Sequence, residues 1–153
     1  MGDLIRAGKI RGFGVSNFRG WRIAEIARLC EKNNVPLPLV CQPYYNLLNR
    51  MPEVEILPAC ANYGLGVVPY SPIARGVKLG QFATAWVLAN SAISSVIAGP
   101  RTLAQMEDYY DAVELKISAE EEALIDGLVT PGHSSTPGYN DPSYPFFGRV
   151  AVK

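Results

Sequence analysis

The sequence predicts an α/β fold built from repeated parallel strand–helix units. Two observations carry this. Short apolar runs begin near positions 12, 39, 66 and 95, at close to constant spacing, and each is followed by a stretch with helical periodicity. A repeat of this length leaves room for one crossover helix, so successive strands run parallel with right-handed connections. The 153 residues are enough for one domain with one core. A closed (β/α) barrel and an open doubly wound sheet both satisfy the pattern. In either, a ligand sits at the C-terminal ends of the strands.

Residues 3–9 predict the end of a helix: Leu4, Ile5 and Ala7 are apolar, Arg6 and Lys9 are polar, and Gly8 stops it. The first strand is predicted at residues 12–16. Gly12 and Gly14 do not form a dinucleotide fingerprint, because Asn17 stands where the third glycine belongs. They predict instead that neighbouring side chains, or a flat ligand, come close to the backbone. Residues 21–32 predict a helix, with Ile23, Ile26, Ala27 and Cys30 on its apolar face. The second strand, residues 39–42, is set off by Pro36 and Pro38 and ends on Gln42, after which Tyr44-Tyr45-Asn46 opens a loop.

Residues 53–62 predict a short helix, with Pro58 expected to mark its start or kink it. The third strand is residues 67–70, followed by Ser71-Pro72 and a largely apolar helix near residues 81–89. The fourth strand is residues 95–98. Helices follow at 102–112 and 118–128, the second opened by a capping box from Ser118 to Glu121. Residues 130–153 have no period, and their prolines and glycines forbid long regular elements. Yet Tyr139, Tyr144, Phe146 and Phe147 make the stretch too apolar for plain disorder. The expected division is a (β/α) body at 1–129 and an irregular loop at 130–153 that lies across the body as a lid, a frayed tail being the alternative.

Composition narrows the function. Fourteen Lys and Arg balance fourteen Asp and Glu, and no basic face or charge run stands out, which argues against nucleic acid as a partner. Cys30, Cys41 and Cys60 are scattered, odd in number and without metal-ligand spacing, so they predict buried thiols in a reducing compartment. No apolar run approaches the ~20 residues of a membrane span, and no secretory leader pattern follows Met1. A cytoplasmic protein is expected. The single histidine, His133, lies in the Pro/Gly-rich stretch and is expected on the surface.

The richest stretch is residues 95–108. An apolar strand is broken by Gly99-Pro100, and Thr102 then caps a helix whose first turn carries Gln105. A helix N-terminus offers free N–H groups and the positive end of a dipole, and Arg101 adds a planar donor fork. Together they suit a nucleotide phosphate. An ordinary strand-to-helix turn, with Thr102-x-x-Gln105 as a capping box, accounts for the same residues without a ligand. The other predicted strands end on Ser16-Asn17, Gln42 and Tyr70-Ser71, so four equivalent ends carry polar or aromatic clusters.

Four motifs then fall into a familiar order. Gly8-Lys9-Ile10-Arg11-Gly12-Phe13-Gly14-Val15-Ser16-Asn17-Phe18 resembles the fifth strand of the aldo-keto reductases. Gln42-Pro43-Tyr44-Tyr45-Asn46-Leu47 resembles their sixth. Val68-Pro69-Tyr70-Ser71-Pro72-Ile73-Ala74-Arg75-Gly76 resembles their seventh, and Ile97-Ala98-Gly99-Pro100-Arg101 through Asp108 their eighth strand and next helix. The resemblance implies the last four strand–helix units of an eight-unit TIM barrel, from an NADPH-dependent oxidoreductase that reduces aldehydes and ketones. It implies that Ser16, Asn17 and Gln42 hold the nicotinamide carboxamide and that Tyr70 stacks on the ring. Ser71 and Ile73 would line the pyrophosphate path. Gly99 would admit the backbone close to the cofactor, Arg101 would meet the 2′-phosphate, and Gln105 and Asp108 would reach the adenosine.

The same resemblance implies absences. Tyr109 stands where the family often has asparagine, and only Val77-Lys78-Leu79-Gly80 intervenes where a longer loop is usual. The family's Asp, Tyr, Lys and His tetrad belongs to the first four units, so no catalytic residue is assigned here. A truncated barrel of this kind is expected to bind NADPH weakly and to be inactive alone. It would take a carbonyl substrate only if completed by the other half. A non-catalytic NADPH-sensing or assembly module, and a product without activity, are the alternatives. Open strand edges at residues 12–16 and 94–98 predict self-association, two halves closing one barrel.

Overall fold

The computed structural model describes residues 1–73 and 80–136. It contains α1 (Gly2–Arg6), β1 (Gly14–Ser16), α2 (Gly20–Lys32), β2 (Val40–Gln42), α3 (Pro52–Tyr63), β3 (Gly66–Val67), α4 (Gly80–Ala89), α5 (Leu103–Glu114) and α6 (Ala119–Leu128). The strands form a parallel sheet in the order β1-β2-β3, each followed by a helix. The α/β class and the parallel arrangement are therefore as the spacing predicts.

The predicted fourth strand is present as a broken one. Val67 bridges Ile93 and Tyr70 bridges Ile97, both parallel. The Ser94 amide donates to the Val67 carbonyl at 2.8 Å and the Ile97 amide to that of Pro69 at 2.9 Å. β3 is short for a related reason. Pro43 and Pro69 have no amide hydrogen, so the ladder loses donors where the strands would otherwise continue. The Tyr70 amide still reaches the Pro43 carbonyl at 3.2 Å.

Strand alternation makes the sheet two-faced. Val15, Cys41 and Val67 stand in register across the three strands and are buried. They meet Ile23 of α2, Leu57 and Cys60 of α3, Trp86 and Val87 of α4, and Ile125 of α6 in one core. The opposite row is Gly14, Val40 and Gly66, none of it buried. Here Gly14 has a definite task. A Cβ on it would come within 2.6 Å of Val40 Cγ2 and 2.9 Å of the Val40 carbonyl oxygen. Neighbouring chain, as the sequence suggested, is what comes close to this glycine. Gly14→Ala is expected to cost about 1–3 kcal/mol through overpacking of the β1–β2 pair. Urea denaturation measures it, and an unchanged midpoint would refute it.

The helices from α2 on follow their predicted bounds to within one or two residues, while α1 ends at Arg6, three residues before the predicted end at 9. Ser118 and Glu121 form the reciprocal capping box, with Ser118 Oγ accepting from the Glu121 amide and Glu121 Oε2 from the Ser118 amide. Pro58 does not mark the start of α3, which runs through it from Pro52 to Tyr63. Residue 58 is exposed, so water can serve the carbonyl one turn back that loses its donor. Leu57 and Cys60 anchor the helix in the core on the other side.

A polar clasp ties the far end of the chain to the β2–α3 loop. Arg50 is 5% exposed. Its guanidinium donates to Glu53 Oε1 at 2.8 Å, Asp126 Oδ1 at 2.6 Å and the Val129 carbonyl at 3.1 Å, and lies 5.1 Å from the Trp86 ring centroid. Glu53 also accepts from the Tyr45 hydroxyl at 2.9 Å and from the Gly132 amide at 3.2 Å. Burial, then the charge of Glu53, pushes the Tyr45 phenol far above its usual range. Residues 130–136 are held here rather than frayed. The Arg50 amide donates to the His133 carbonyl at 2.8 Å, and the Ser135 amide to that of Leu48 at 2.9 Å. The aromatic residues expected to form a lid lie outside the described residues.

All three cysteines are free and buried. The Cys41 thiol is raised far above its usual range by its hydrogen bond to Cys60 and by burial. Among the described residues no His, Cys, Asp and Glu group suits a metal ion. No helix there is long and apolar enough to cross a membrane.

Candidate functional site

Parallel strands deliver their C-terminal ends to one side of the sheet, and the structure brings several predicted residues together there. Ser16 and Gln42 are register partners at the ends of β1 and β2. Ser16 Oγ donates to the Gln42 carbonyl at 3.0 Å, and the Asn17 amide donates to the same oxygen at 3.1 Å. One strand over, the Tyr70 hydroxyl donates to Asn17 Oδ1 at 3.2 Å. Ser16, Asn17, Gln42 and Tyr70 thus form one hydrogen-bonded patch across three strand ends.

The patch is held in a special backbone geometry. Asn17 and Ser71 have φ values of 55° and 56°, in the left-handed region that non-glycine residues seldom occupy. Asn46 braces the second of these turns. It is fully buried, and its Nδ2 donates to the Ser71 carbonyl at 3.2 Å. Tyr44 braces the Tyr70 ring, with centroids 5.3 Å apart and planes tilted by 36°. Neither Tyr44 nor Asn46 was singled out from sequence. Their position directly after Gln42, at the end of a strand, was the available signal.

Strand-end hydrogen bonding alone accounts for part of this patch. Ser16 does satisfy a strand end through its hydroxyl hydrogen. Gln42 does not: its side chain is half-buried and makes no hydrogen bond among the described residues. Tyr70 is half-buried rather than core. Ile73 is half-buried, and the following residues of the seventh-strand motif, from Ala74, lie outside the described residues.

The fourth strand end leads into α5. Thr102 caps the helix by accepting from the Gln105 amide at 3.3 Å. The reciprocal half of the expected capping box is displaced by one residue. Gln105 Oε1 accepts from the Arg101 amide at 2.7 Å, not from that of Thr102. The glutamine therefore fastens the turn that presents Arg101. Arg101, Gln105 and Asp108 are all exposed, and Gln105 and Asp108 lie one turn apart on one helix face. The Arg101 guanidinium has no ion-pair partner among the described residues. Gly99 has negative φ, and a Cβ there would meet nothing within 4 Å. No contact within the described chain requires glycine at this position.

A polar and aromatic patch on three parallel strand ends and, at the next strand end, a helix N-terminus whose arginine has no ion-pair partner among the described residues make up the candidate site on this α/β scaffold. A sequence profile of the Aldo/keto reductase family matches residues 1–78, half of the chain. The chain is also similar to an uncharacterized oxidoreductase, YrpG, of Bacillus subtilis. Identity is 30% over 173 residues, covering 87% of this chain and 53% of the relative. Aflatoxin B1 aldehyde reductase member 2 of Mus musculus is 39% identical over 80 residues, 52% of this chain and 22% of the relative. Aldo-keto reductase family 7 member A3 of Homo sapiens is 37% identical over 80 residues, 52% of this chain and 24% of the relative.

The chain belongs to the aldo/keto reductase family, whose members are oxidoreductases that generally use a nicotinamide cofactor. It spans about half the length of the bacterial relative and about a quarter or less of the two mammalian ones. The aligned 173 residues exceed the 153 of this chain, so the relative carries extra residues inside the matched span. The profile ends at residue 78, within the segment that the sequence shows to be short.

Proposed function

We propose that this chain is the cofactor-binding half of an NADPH-dependent carbonyl reductase, formed by the last four strand–helix units of a TIM barrel. One observation carries the reading: the linked patch of Ser16, Asn17, Gln42 and Tyr70 at adjacent strand ends, continued by Arg101, Gln105 and Asp108 at the next. The residues suit the group. Among the described residues Gln42 keeps its amide donor and acceptor, and Asn17 keeps its Nδ2 donor while its oxygen takes the Tyr70 hydroxyl. A carboxamide needs such paired donors and acceptors. Tyr70, held by Asn17 and Tyr44, is an aromatic side chain of the kind that stacks on a nicotinamide ring. Ser71 and Ile73 follow it along the pyrophosphate path, Gly99 leaves open space, and Arg101 supplies a fork for a 2′-phosphate.

When bound, the nicotinamide supplies a hydride to a carbonyl carbon. The carbonyl oxygen then needs a proton from a positioned acid. Among the described residues the strand ends offer none. The Tyr70 hydroxyl is committed to Asn17. His133, the single histidine, is exposed and bonded through Nδ1 to the Pro131 carbonyl. Its stretch is hydrogen-bonded to Leu48, Arg50 and Glu53. The chain therefore binds cofactor without turning over a carbonyl substrate by itself.

Titration of the purified chain with NADPH and NADH, followed by calorimetry and tryptophan emission, tests this directly. Saturable binding with preference for NADPH is expected. No aldehyde-dependent oxidation of NADPH should follow. Absence of binding to either cofactor would overturn the cofactor reading, and aldehyde reduction by the pure chain would overturn the missing acid.

A further inference from the structure

Ser71 holds a backbone conformation that its own sequence opposes. Its φ is 56°, in the left-handed region where a residue with a Cβ seldom settles. Pro72 follows, and a proline ring biases the residue before it toward extended backbone. Both local preferences therefore point to a negative φ. A conformation of this kind persists only where contacts from elsewhere in the fold hold it. The Ser71–Pro72 peptide has no N–H, so its one polar handle is the Ser71 carbonyl.

Asn46 takes that handle, its Nδ2 donating to the carbonyl from the loop after β2. Asn46 is fully buried. Its Oδ1 accepts from the Leu48 amide at 3.0 Å, which leaves Nδ2 as the end that faces Ser71. Backbone hydrogen bonds run both ways between Asn46 and Asn49, and Asn49 Nδ2 donates to the Tyr44 carbonyl at 2.9 Å. The donor toward Ser71 is thus mounted on a turn that is itself fastened. On its other flank Tyr70 is tied by its hydroxyl to Asn17. Residues 70 and 71 are gripped from the ends of both β1 and β2.

We propose that Asn46 is a positioning residue for the dinucleotide, a role that rests on the cofactor reading of the site. By holding Ser71 left-handed it sets the course of residues 71–73, along which the cofactor's diphosphate would pass. Without the bond, Ser71 relaxes toward the extended backbone that Pro72 favours, and the turn leaves that path. Arg101 belongs to another strand end, and its amide is held by Gln105 rather than by this turn. Asn46 therefore governs affinity for the whole dinucleotide and not for its 2′-phosphate end. Only the molecules that keep the turn bind well, so the apparent affinity falls in proportion to their fraction.

Calorimetric titration of the full chain with NADPH, and competition by adenosine 2′-monophosphate, separate the two ends of the ligand. The mononucleotide carries the 2′-phosphate and lacks the diphosphate. Asn46→Ala should weaken NADPH about tenfold, as when about one molecule in ten keeps the turn, and leave the mononucleotide within about twofold. A Ser71→Gly chain supplies the second background, because glycine adopts a φ of 56° without strain. There Asn46→Ala should weaken NADPH by about twofold or less. A residue that merely supports the fold would lose both ligands alike, and in both backgrounds. If the alanine variant fails to fold by circular dichroism, Asn46→Ser takes its place: its hydroxyl still accepts from the Leu48 amide and is too short to reach Ser71. Equal loss of both ligands, no loss of NADPH, or an undiminished loss in the glycine background would overturn the role of Asn46. The glycine comparison, read on NADPH alone, decides where the mononucleotide does not compete. A parent chain that binds neither ligand would overturn the cofactor reading, and this role with it.

Discussion

Arg50→Met is expected to lower stability by about 3–5 kcal/mol, the range for removing one partner of a buried ion pair. The loss comes mainly from Glu53. Its side chain is 18% exposed and would keep its charge without the guanidinium that neutralises it. Asp126 is 45% exposed, so water screens it and it adds little. The methionine retains the packing over Trp86 and isolates the charge. The double variant Arg50→Met/Glu53→Gln should be more stable than the single one, because a neutral amide can still accept from Tyr45 and Gly132. Urea denaturation followed by tryptophan emission reads both. A single variant that loses less than about 1 kcal/mol, or a double variant that falls further, would show that the clasp is not what holds α6 to the body.

Arg101→Ala should weaken NADPH binding by about 10- to 100-fold and leave NADH nearly unchanged. That factor corresponds to about 1.5–3 kcal/mol for charge-assisted hydrogen bonds to a phosphate. Arg101→Lys should fall between, since it keeps the charge and loses the planar fork. Gln105→Ala offers a related control. It removes the brace on the Arg101 amide, so it should weaken NADPH by less than loss of the arginine itself. Equal losses for both cofactors on Arg101→Ala would mean that the arginine supports the turn and not the phosphate. No loss for either would remove it from the site.

Local patterns were the legible part of this chain. Ile23, Ala27 and Cys30 marked the buried face of α2, and Ser118-x-x-Glu121 marked the start of α6 through its own hydrogen bonds. Strand positions were legible from spacing, and their lengths were not, because Pro43 and Pro69 interrupt a ladder whose partners lie far along the chain. At Pro58 the lost donor does not set where α3 begins: the helix runs through it, with Leu57 and Cys60 in the core.

In the candidate site, Gln42, Tyr70 and Arg101 were visible as polar or aromatic residues at strand ends. The braces were not. Asn46 acts on Ser71, 25 residues away, and Tyr44 acts through a ring contact that only the pairing of strands creates. Arg50 gave one local hint, its i, i+3 spacing to Glu53, whereas its other partners lie 76 and 79 residues downstream.

The clasp also bears on the order of folding. A contact between residues 79 apart cannot close until the intervening strand–helix units have compacted, because the entropy of closing so long a loop must be met first. Its energy is gained late, after the β1–β2–β3 ladder and the helices between have formed. Interactions made late act on the rate of unfolding more than on the rate of folding. Arg50 thus works as a latch in time: it sets how long the assembled body lasts, while the local helix signals set how soon it forms.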